Sequence, residues 1–188
     1  MEIKRVSNLE ELQGIKTLQQ NNLKTALSEQ EKSQEGFVTA VYSLDLLKQM
    51  HQYCPSVVCV DGEKKVIGYA LATTQKIRSQ HPLLENLFAT IDRQKFKGNL
   101  LKKSNYIIVG QLCVSKEHRR QGIAQKMYSY FKTALSERYE YCVTDVDIAN
   151  TNSLKTHLAT GFRVFHEFTF GDAAWNLVLW DWNNTQKE

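Results

Sequence analysis

Basic side chains lead directly into a glycine in the run HRRQGIA, residues 118–124. The run YIIVGQLCV just before it, residues 106–114, is apolar almost throughout, which is typical of a buried central strand. An amphipathic helix is predicted from about Gln121 to Arg138. Helix N-termini present unpaired N–H groups and a positive partial charge, so they bind phosphate groups readily. The stretch therefore predicts an anion-binding turn, and the alternative is a solvated loop ahead of a helix.

The residue types in this turn suit an anion. Gly122 has no Cβ, so a phosphate could come right up to the backbone. Ala124 keeps the next helical turn equally open. Arg119 and Arg120 can add charge-assisted contacts.

Gly110 stands in the interior of the predicted central strand. A glycine there often marks a bulge, which would splay this strand from its neighbour and leave amide groups near Leu112 and Val114 unpaired. An extended, amide-bearing ligand could pair with these groups as an added strand. Together with the anion-binding turn, this predicts a ligand with phosphates at one end and a peptide-like arm at the other, as in coenzyme A (CoA).

Two motifs in the correct order resemble those of a known family. The run Arg119-Arg120-Gln121-Gly122-Ile123-Ala124 matches the R/Q-x-x-G-x-G/A signature of the GNAT superfamily of N-acetyltransferases. Residues 150–162, NTNSLKTHLATGF, are similar to the family's second motif, N-x-x-A/S-x-x-x-Y-x-x-x-G-F. The resemblance covers most of the chain in element order. It is strong from Tyr106 to Phe162 and weak before Val66.

The resemblance implies acetyl-CoA as co-substrate and a set of cofactor-binding residues. Backbone amides of Arg119, Arg120, Gln121, Gly122, Ile123 and Ala124 would cradle the pyrophosphate, and Leu112, Cys113 and Val114 would pair with the pantetheine arm. Asn150 would contact that arm, with Ser153 on the same line of the following helix. Transfer in the family is usually direct, in a ternary complex without a covalent acyl-enzyme.

The chain departs from the family at His157, where tyrosine most often serves as general acid. A histidine near its ordinary pKa of about 6.5 can donate a proton near neutrality, and a thiolate with a pKa near 8.5 would accept it. His157 is therefore the predicted catalytic residue. The alternative is that His157 packs on the buried face of its helix while water manages the proton.

The general base stays unassigned from the sequence. Asp145 and Asp147 share one face of a predicted strand and could deprotonate an ammonium, directly or through water. The commoner alternative is a pair of carboxylates bonded to the backbone or to a basic neighbour. Glu35, between the first two helices, could recognise a cationic acceptor or could be a solvated loop carboxylate.

Hydrophobic periodicity predicts the elements that must position these residues. The predicted fold is α/β (α+β): a single-domain, mixed and mostly antiparallel sheet of about seven strands flanked by about four helices, GNAT-like with a splayed central strand. A β-hairpin is predicted around Asp61-Gly62. In the helix after the anion-binding turn, Ile123, Met127, Tyr130 and Ala134 form the predicted buried stripe.

The basic segment 75–104 is either a lid over the acceptor site or a solvated face. AWNLVLWDW is a strand of the core or part of a dimer contact, so a homodimer is left open.

Composition limits the remaining classes. The 188 residues suit one domain, 1–188, and a net charge of +4 is too mild for a dedicated nucleic-acid binder. The sequence shows neither a leader nor a membrane-spanning apolar run, so we expect a cytoplasmic protein without a membrane partner. The four cysteines lack zinc-ligand spacing, and we expect buried thiols and no metal.

The sequence thus predicts an enzyme that transfers an acetyl group from acetyl-CoA to a primary amine of a small molecule or peptide. The rival is a non-catalytic acyl-CoA-binding module, which the replaced tyrosine favours. The central strand favours it too, because Ile107, Ile108 and Gly110 stand where many members of the resembled family carry an acidic or histidine side chain. Binding of another nucleotide is a third alternative, against which the absence of GxxxxGK[ST] and GxGxxG argues.

Overall fold

A seven-stranded sheet is the centre of the molecule. The computed structural model describes residues 1–183, apart from the side chains of residues 33 and 34. The strands are β1 (Glu2–Arg5), β2 (Val57–Val60), β3 (Val66–Thr73), β6 (Tyr106–Val114), β7 (Tyr141–Asp147), β8 (Arg163–Phe170) and β9 (Ala173–Asp181). Their order is β1-β2-β3-β6-β7-β9-β8, and only the β6–β7 pair is parallel. A separate two-stranded ribbon consists of β4 (Lys95–Phe96) and β5 (Asn99–Leu100).

Six α-helices are present among the described residues. They are α1 (Leu9–Asn21), α2 (Glu29–Glu35), α3 (Leu44–Tyr53), α4 (Pro82–Arg93), α5 (Ile123–Leu135) and α6 (Thr151–Thr160). The mixed, mostly antiparallel sheet is confirmed, whereas about four helices were expected. Hydrophobic periodicity did not predict α2, a two-turn helix that begins at a capping box between Ser28 and Glu31.

The helices cover both faces of the sheet. Side chains of α1, α3 and α4 pack on one face, and α5 packs on the other. The buried stripe of α5 contains Met127, Tyr128 and Phe131, each contributing about 1.5–3 kcal/mol by burial. The predicted stripe was therefore out of phase after Met127, because Tyr130 is 37% exposed and Ala134 is also exposed.

The hairpin between β2 and β3 is confirmed, but its turn is longer than the sequence suggested. Asp61 and Lys65 form the closing main-chain pair, so residues 62–64 make the loop. The residue with positive φ is Lys64 (φ 67), not Gly62. The Asp61 carboxylate accepts from the N–H groups of Glu63 and Lys65, which holds this longer turn in place.

The segment 75–104 packs against the sheet as a structural layer. Leu87, Phe88 and Ile91 of α4 are buried against β6, β7 and β9, while most of the basic side chains of the segment point to solvent. The lysines and arginines therefore form a solvated face. The alternative of a lid over the acceptor site is not supported, because no residue of the segment lines either cavity described below.

The tryptophan-rich strand β9 lies inside the sheet, between β7 and β8. Its alternate residues pack on opposite faces: Leu177 and Leu179 contact the α4 layer, and Val178 contacts the α5 layer. Burial on both faces explains why the strand has no polar alternation. The core interpretation of AWNLVLWDW is confirmed, and a homodimer stays a prediction.

Candidate active site

The central strand β6 separates from β7 halfway along its length. The parallel pairing covers only Tyr106–Ile108 against Tyr141–Val143, although both strands continue. On its other side β6 bulges against β3, where Ala70 lies opposite Leu112 and Ala72 lies opposite Val109. The bulge and the splay predicted from Gly110 are thus confirmed, and they open a cleft between β6 and β7.

Gly110 is required at the bulge by close packing. A Cβ on this residue would overlap Oγ1 of Thr73, a buried side chain of β3. No real Cβ tolerates such a contact, so any larger residue would push β6 away from β3. The glycine therefore fixes where the central strand leaves regular pairing.

A cleft of about 350 Å³ begins at the splay and runs to the N-terminus of α5. It is lined by ten of the eleven residues predicted to bind the cofactor: Leu112, Cys113, Val114, Arg119, Arg120, Gly122, Ile123, Ala124, Asn150 and Ser153. The exception is Gln121, whose exposed side chain donates to the main-chain oxygen of Glu117 over 3.3 Å. The two sequence motifs therefore meet across one cleft.

The turn before α5 presents main-chain N–H groups to this cleft. Gly122 caps the helix in the left-handed conformation (φ 72, ψ 11) and provides no side chain to the helix terminus. The first main-chain hydrogen bond, from Lys126 to Gly122, leaves the N–H groups of Ile123, Ala124 and Gln125 without a partner inside the helix. No acidic side chain lies in the first turn. An anion placed here would meet several donors and the positive end of the helix.

The two arginines of the turn have different surroundings. The Arg119 guanidinium donates to the main-chain oxygen of Val114 (3.0 Å), to Asn22 Oδ1 (2.5 Å) and to Glu35 Oε2 (2.8 Å). These contacts engage the Arg119 guanidinium within the protein and hold the turn in place. They therefore do not favour the phosphate contact that was expected for this side chain. Arg120 is largely exposed, and its guanidinium lies 3.8 Å from Glu35 Oε1. Of the two arginines, Arg120 has the guanidinium available to an anion.

Glu35 forms an ion pair with Arg119 of the turn. Its carboxylate is bonded to Arg119 and lies near Arg120, which matches neither the free acceptor-binding carboxylate nor the solvated loop carboxylate of the sequence analysis. The pair joins α2 to the anion-binding turn.

A second, smaller cavity of about 60 Å³ lies next to the cleft, within the splay. The two spaces share Phe37, Val38, Leu112, Asn150 and Ser153 as lining residues. We call this second cavity the chamber; its further lining includes Gly110, Thr144, Asp145, Asp147, His157 and Trp175. A long ligand in the cleft would therefore end beside titratable side chains.

The two aspartates of β7 differ sharply in the chamber. Asp147 forms an ion pair with Lys24 (2.7 Å) and accepts from the N–H of Ala149 (2.9 Å), which is the structural role weighed for both. The Asp145 carboxylate receives no hydrogen bond or ion pair from another described side chain. Burial raises the pKa of Asp145 to about 6. A carboxylate of this kind is ionised at neutral pH and is basic enough to accept a proton.

His157 lies between two hydrogen bonds at the end of the chamber. Its Nδ1 is 2.7 Å from the main-chain oxygen of Ser153, so Nδ1 carries the proton. Its Nε2 then accepts from the hydroxyl of Tyr128 over 2.7 Å. Burial lowers the pKa of His157 to about 4. The geometry favours the packing alternative. The general-acid role stays a prediction, because the only ring proton of the neutral imidazole is held in the hydrogen bond to Ser153.

A family comparison identifies the class to which this architecture belongs. The model of the acetyltransferase (GNAT) family matches residues 23–162. The chain belongs to the GNAT acetyltransferase family. The resemblance inferred from the two motifs is therefore confirmed. No protein of curated function matches this GNAT chain.

Solved structures share the GNAT fold at low sequence identity. Naa20 of Chaetomium thermophilum with a bisubstrate analogue is 14% identical, with a TM-score of 0.67 over 96% of this chain and 86% of that chain. The yncA protein of Salmonella typhimurium with its cofactor acetyl-CoA is 15% identical, with a TM-score of 0.63 over 100% and 97%. The NatC complex bound to Gag peptide and CoA is 16% identical, with a TM-score of 0.63 over 96% and 99%. These likenesses show the fold.

Asn150 of this GNAT chain joins the second motif to the loop after α2. Its Nδ2 donates to the main-chain oxygen of Phe37 (2.8 Å), and its Oδ1 accepts from Ser153 N–H at the start of α6 (3.3 Å). A Cβ on Gly36 would lie 2.9 Å from the same oxygen. The loop and the helix are therefore held together on either side of the space that the cleft and chamber share.

A network of side-chain hydrogen bonds fixes the same loop to the central strand. Gln111 Oε1 accepts from Gln19 Nε2 (2.9 Å) and from the Tyr69 hydroxyl (2.8 Å), and Gln111 Nε2 donates to the main-chain oxygen of Ala40 (2.9 Å). Every polar atom of the Gln111 amide group thus has a partner. The walls contributed by residues 36–39 were missed by the sequence analysis, since no local pattern marks a loop that is held by distant side chains.

Within the described part of the chain, no group of three His, Cys, Asp or Glu side chains could hold a metal ion. Each helix among residues 1–183 is too short or too polar to traverse a bilayer. The four cysteines are buried and free.

Proposed function

We propose that this protein transfers the acetyl group of acetyl-CoA to a primary amine by direct attack in a ternary complex. The observation that carries the proposal is that the cleft and the chamber share lining residues, which brings an anion-binding turn and an unpaired carboxylate to adjoining spaces. Membership of an acetyltransferase family and the CoA-bound and acetyl-CoA-bound structures of similar fold support it.

In this proposal the cleft binds the cofactor mainly through the main chain. The diphosphate accepts hydrogen bonds from N–H groups of the 119–124 turn, and Arg120 adds charge. The pantetheine arm runs along Leu112 to Val114, where β6 has no strand partner on the side facing β7. Asn150 and Ser153 border the thioester end of the arm.

Asp145 is the proposed general base. The neutral amine nitrogen attacks the thioester carbon, a C–N bond forms, and the carbon–sulfur bond breaks as the CoA thiolate leaves. Asp145 takes the proton released by the nitrogen, directly or through a water molecule, because its raised pKa makes it a stronger base than an ordinary aspartate. The products are the N-acetylated amine and CoA.

The departing thiolate also needs a proton. Its pKa near 8.5 means that it is mostly protonated at neutral pH once water reaches it. His157 remains a candidate donor only if its hydrogen bond to Ser153 is broken during turnover. Our proposal therefore assigns the fold-supporting role to His157 and the proton transfer from the amine to Asp145.

The acceptor is proposed to be a small-molecule or peptide amine. The NatC complex of similar fold is bound to Gag peptide, and this similarity of fold supports a peptide amine among the candidates. The narrow chamber supports an acceptor whose amine end is slender.

A non-catalytic acyl-CoA-binding module is the second candidate, favoured by the lack of a free proton on His157. A thiol-release assay with acetyl-CoA and a panel of amines separates the two. Our proposal predicts thiol release that depends on the acceptor and produces the acetylated amine. Tight CoA binding with no acceptor-dependent release from any amine would favour the binding module.

A further inference from the structure

Trp175 places an indole beside the acid–base residues of the chamber. It lies on β9 directly opposite Asp147 of β7, lines the chamber, and is 8% exposed. Its Nε1 is buried and has no hydrogen-bond partner among the described residues. Buried tryptophan N–H groups usually find a partner, and an unmade hydrogen bond of this kind costs about 1–3 kcal/mol.

The position of this donor distinguishes it from other unpartnered atoms. Among the described residues, buried side-chain nitrogen or oxygen atoms with neither a hydrogen bond nor an ion pair belong to His51, Thr73, Thr74, Trp175 and Trp182. Trp175 is the only one of these five residues that lines the cleft or the chamber. A molecule in the chamber could therefore supply the missing acceptor.

The charges around the chamber restrict what that acceptor can be. The described lining contains the unpaired Asp145 carboxylate and no Lys or Arg. The nearby Lys24 is already paired with Asp147 at 2.7 Å. A free α-carboxylate would meet a like charge without a compensating cation, whereas a neutral carbonyl oxygen would not.

We propose that the indole N–H of Trp175 donates to a neutral carbonyl oxygen next to the reacting amine, which makes an α-amino amide, as at a peptide N-terminus, the preferred acceptor class. The inference rests on the proposed acetyl transfer and specifies its acceptor. Trp175 then binds the acceptor, and Asp145 takes the amine proton.

The basicity of Asp145 is in keeping with this class. An α-ammonium group has an ordinary pKa of about 8, compared with about 10.4 for a lysine side chain. The difference in pKa between Asp145, at about 6, and the acceptor's ammonium group is therefore smaller for an α-ammonium group than for a lysine side chain. A simple alkylamine is the poorer match on both grounds.

The test compares matched acceptors and matched variants. Alaninamide supplies the amine and the carbonyl, and 3-methylbutan-2-amine replaces the carboxamide by an isopropyl group of similar shape. Values of kcat/KM are measured for both, per neutral amine, with the wild-type protein, Trp175→Phe and Trp182→Phe. Trp182 is the control because its indole N–H is also buried and unpartnered but borders neither cavity.

We expect Trp175→Phe to lower kcat/KM for alaninamide by about tenfold or more and to leave the value for the alkylamine within about twofold. Trp182→Phe should leave the ratio of the two acceptors unchanged. Equal effects of Trp175→Phe on both acceptors, or none on alaninamide, would overturn the proposal.

Two measurements on the wild-type protein do not depend on how the variants fold. Alaninamide should exceed the alkylamine by about tenfold per neutral amine, and free alanine should be far poorer than alaninamide. Equal use of alaninamide and the alkylamine, or of alanine and alaninamide, would refute the assignment while leaving acetyl transfer intact. Failure of the proposed function itself would show as no acetylation of any amine.

Discussion

The Tyr128 hydroxyl donates to Nε2 of His157 over 2.7 Å, and both side chains are buried. The other ring nitrogen of His157 donates to the main-chain oxygen of Ser153, and the ring packs edge-on against Phe162. This arrangement ties α5 to α6 by a neutral imidazole. It gives the residue a clear structural role at the position where the family most often has tyrosine.

The neutral state of His157 predicts a pH-dependent stability. Because burial lowers the pKa of His157 from 6.5 to about 4, the unfolded chain binds a proton in this interval that the folded protein does not bind. The contribution of His157 to the free energy of unfolding is therefore present above pH 6.5 and declines by about 3 kcal/mol as the pH falls to 4. In urea unfolding, the stability of the wild-type protein relative to His157→Phe should therefore fall between pH 7 and pH 4.5, because the other titrating groups, Asp145 included, contribute to both proteins.

The same variant tests the general-acid prediction. We expect His157→Phe, once its lower stability is allowed for, to keep turnover within about threefold of the wild type. A loss of about 100-fold in kcat with unchanged acetyl-CoA affinity would instead support a general acid.

Replacement of Asp145 should remove the base. We expect Asp145→Asn to lower kcat/KM by about 100-fold or more while the dissociation constant for acetyl-CoA stays the same. In the wild type, kcat/KM per neutral amine should rise with pH through about 6 as the carboxyl ionises, and the variant should lack this rise. Asp172→Asn, at an exposed turn, is the control. Retention of the pH-dependent rise by Asp145→Asn would assign the base elsewhere.

Asp145 should also lower stability at neutral pH. Its pKa is raised from 3.8 to about 6, so the folded protein holds this proton more tightly than the unfolded chain does. The resulting stability is present below pH 3.8 and is lost as the pH rises through about 6. Asp145→Asn should therefore be more stable than the wild type at pH 7, by up to about 3 kcal/mol, in thermal or urea unfolding. A less stable variant would mean that the carboxylate has a partner in the folded protein.

Two glycines with positive φ allow a matched test of the anion-binding turn. Gly122 (φ 72) and Gly171 (φ 59) both have positive φ, and a Cβ on either would meet no atom within 4 Å. Alanine at either position should cost about 1 kcal/mol of stability through strain alone. Only Gly122→Ala should also weaken acetyl-CoA binding, by about tenfold, since its methyl group would occupy the space in front of the N–H groups. Calorimetry that found equal affinities for the two variants would contradict this use of the turn.

The bulge of β6 is open to a double-mutant cycle. Gly110→Ala should cost about 1–3 kcal/mol, because the new methyl group overlaps Thr73 Oγ1. Thr73→Ala removes an oxygen that has no partner among the described residues, so it should restore most of that loss in the double variant. Additive unfolding free energies would show that the two side chains do not compete for space.

Local patterns in the sequence were sufficient to predict the residues that line the cleft, but not the long-range contacts that keep these residues in position. The glycine turn, the strand before it and the second motif lie within short segments, so their chemistry could be inferred from spacing. The contacts of Arg119 with Asn22 and Glu35 join residues far apart in the chain, and no local pattern predicts them. For this reason the sequence predicted a phosphate contact for the Arg119 guanidinium, which instead bonds to side chains of the protein itself.

The phase of α5 shows a second limit. Tyr130 and Tyr128 are both close to the apolar stripe that begins at Ile123, and hydrophobic periodicity predicted burial of Tyr130, which is exposed, instead of Tyr128. The misassignment concealed the partner of His157 and left the general-acid role more attractive than the structure makes it. Similarly, the two aspartates of β7 share a face, and only the ion pair of Asp147 with Lys24 separates them.

Calorimetric titration of the folded protein with acetyl-CoA tests the central claim most directly. We predict binding of one molecule per chain, weakened by excess inorganic pyrophosphate because both ligands compete for the N–H groups of the 119–124 turn. Absence of any heat of association with acetyl-CoA and with CoA, at several temperatures, would contradict the account.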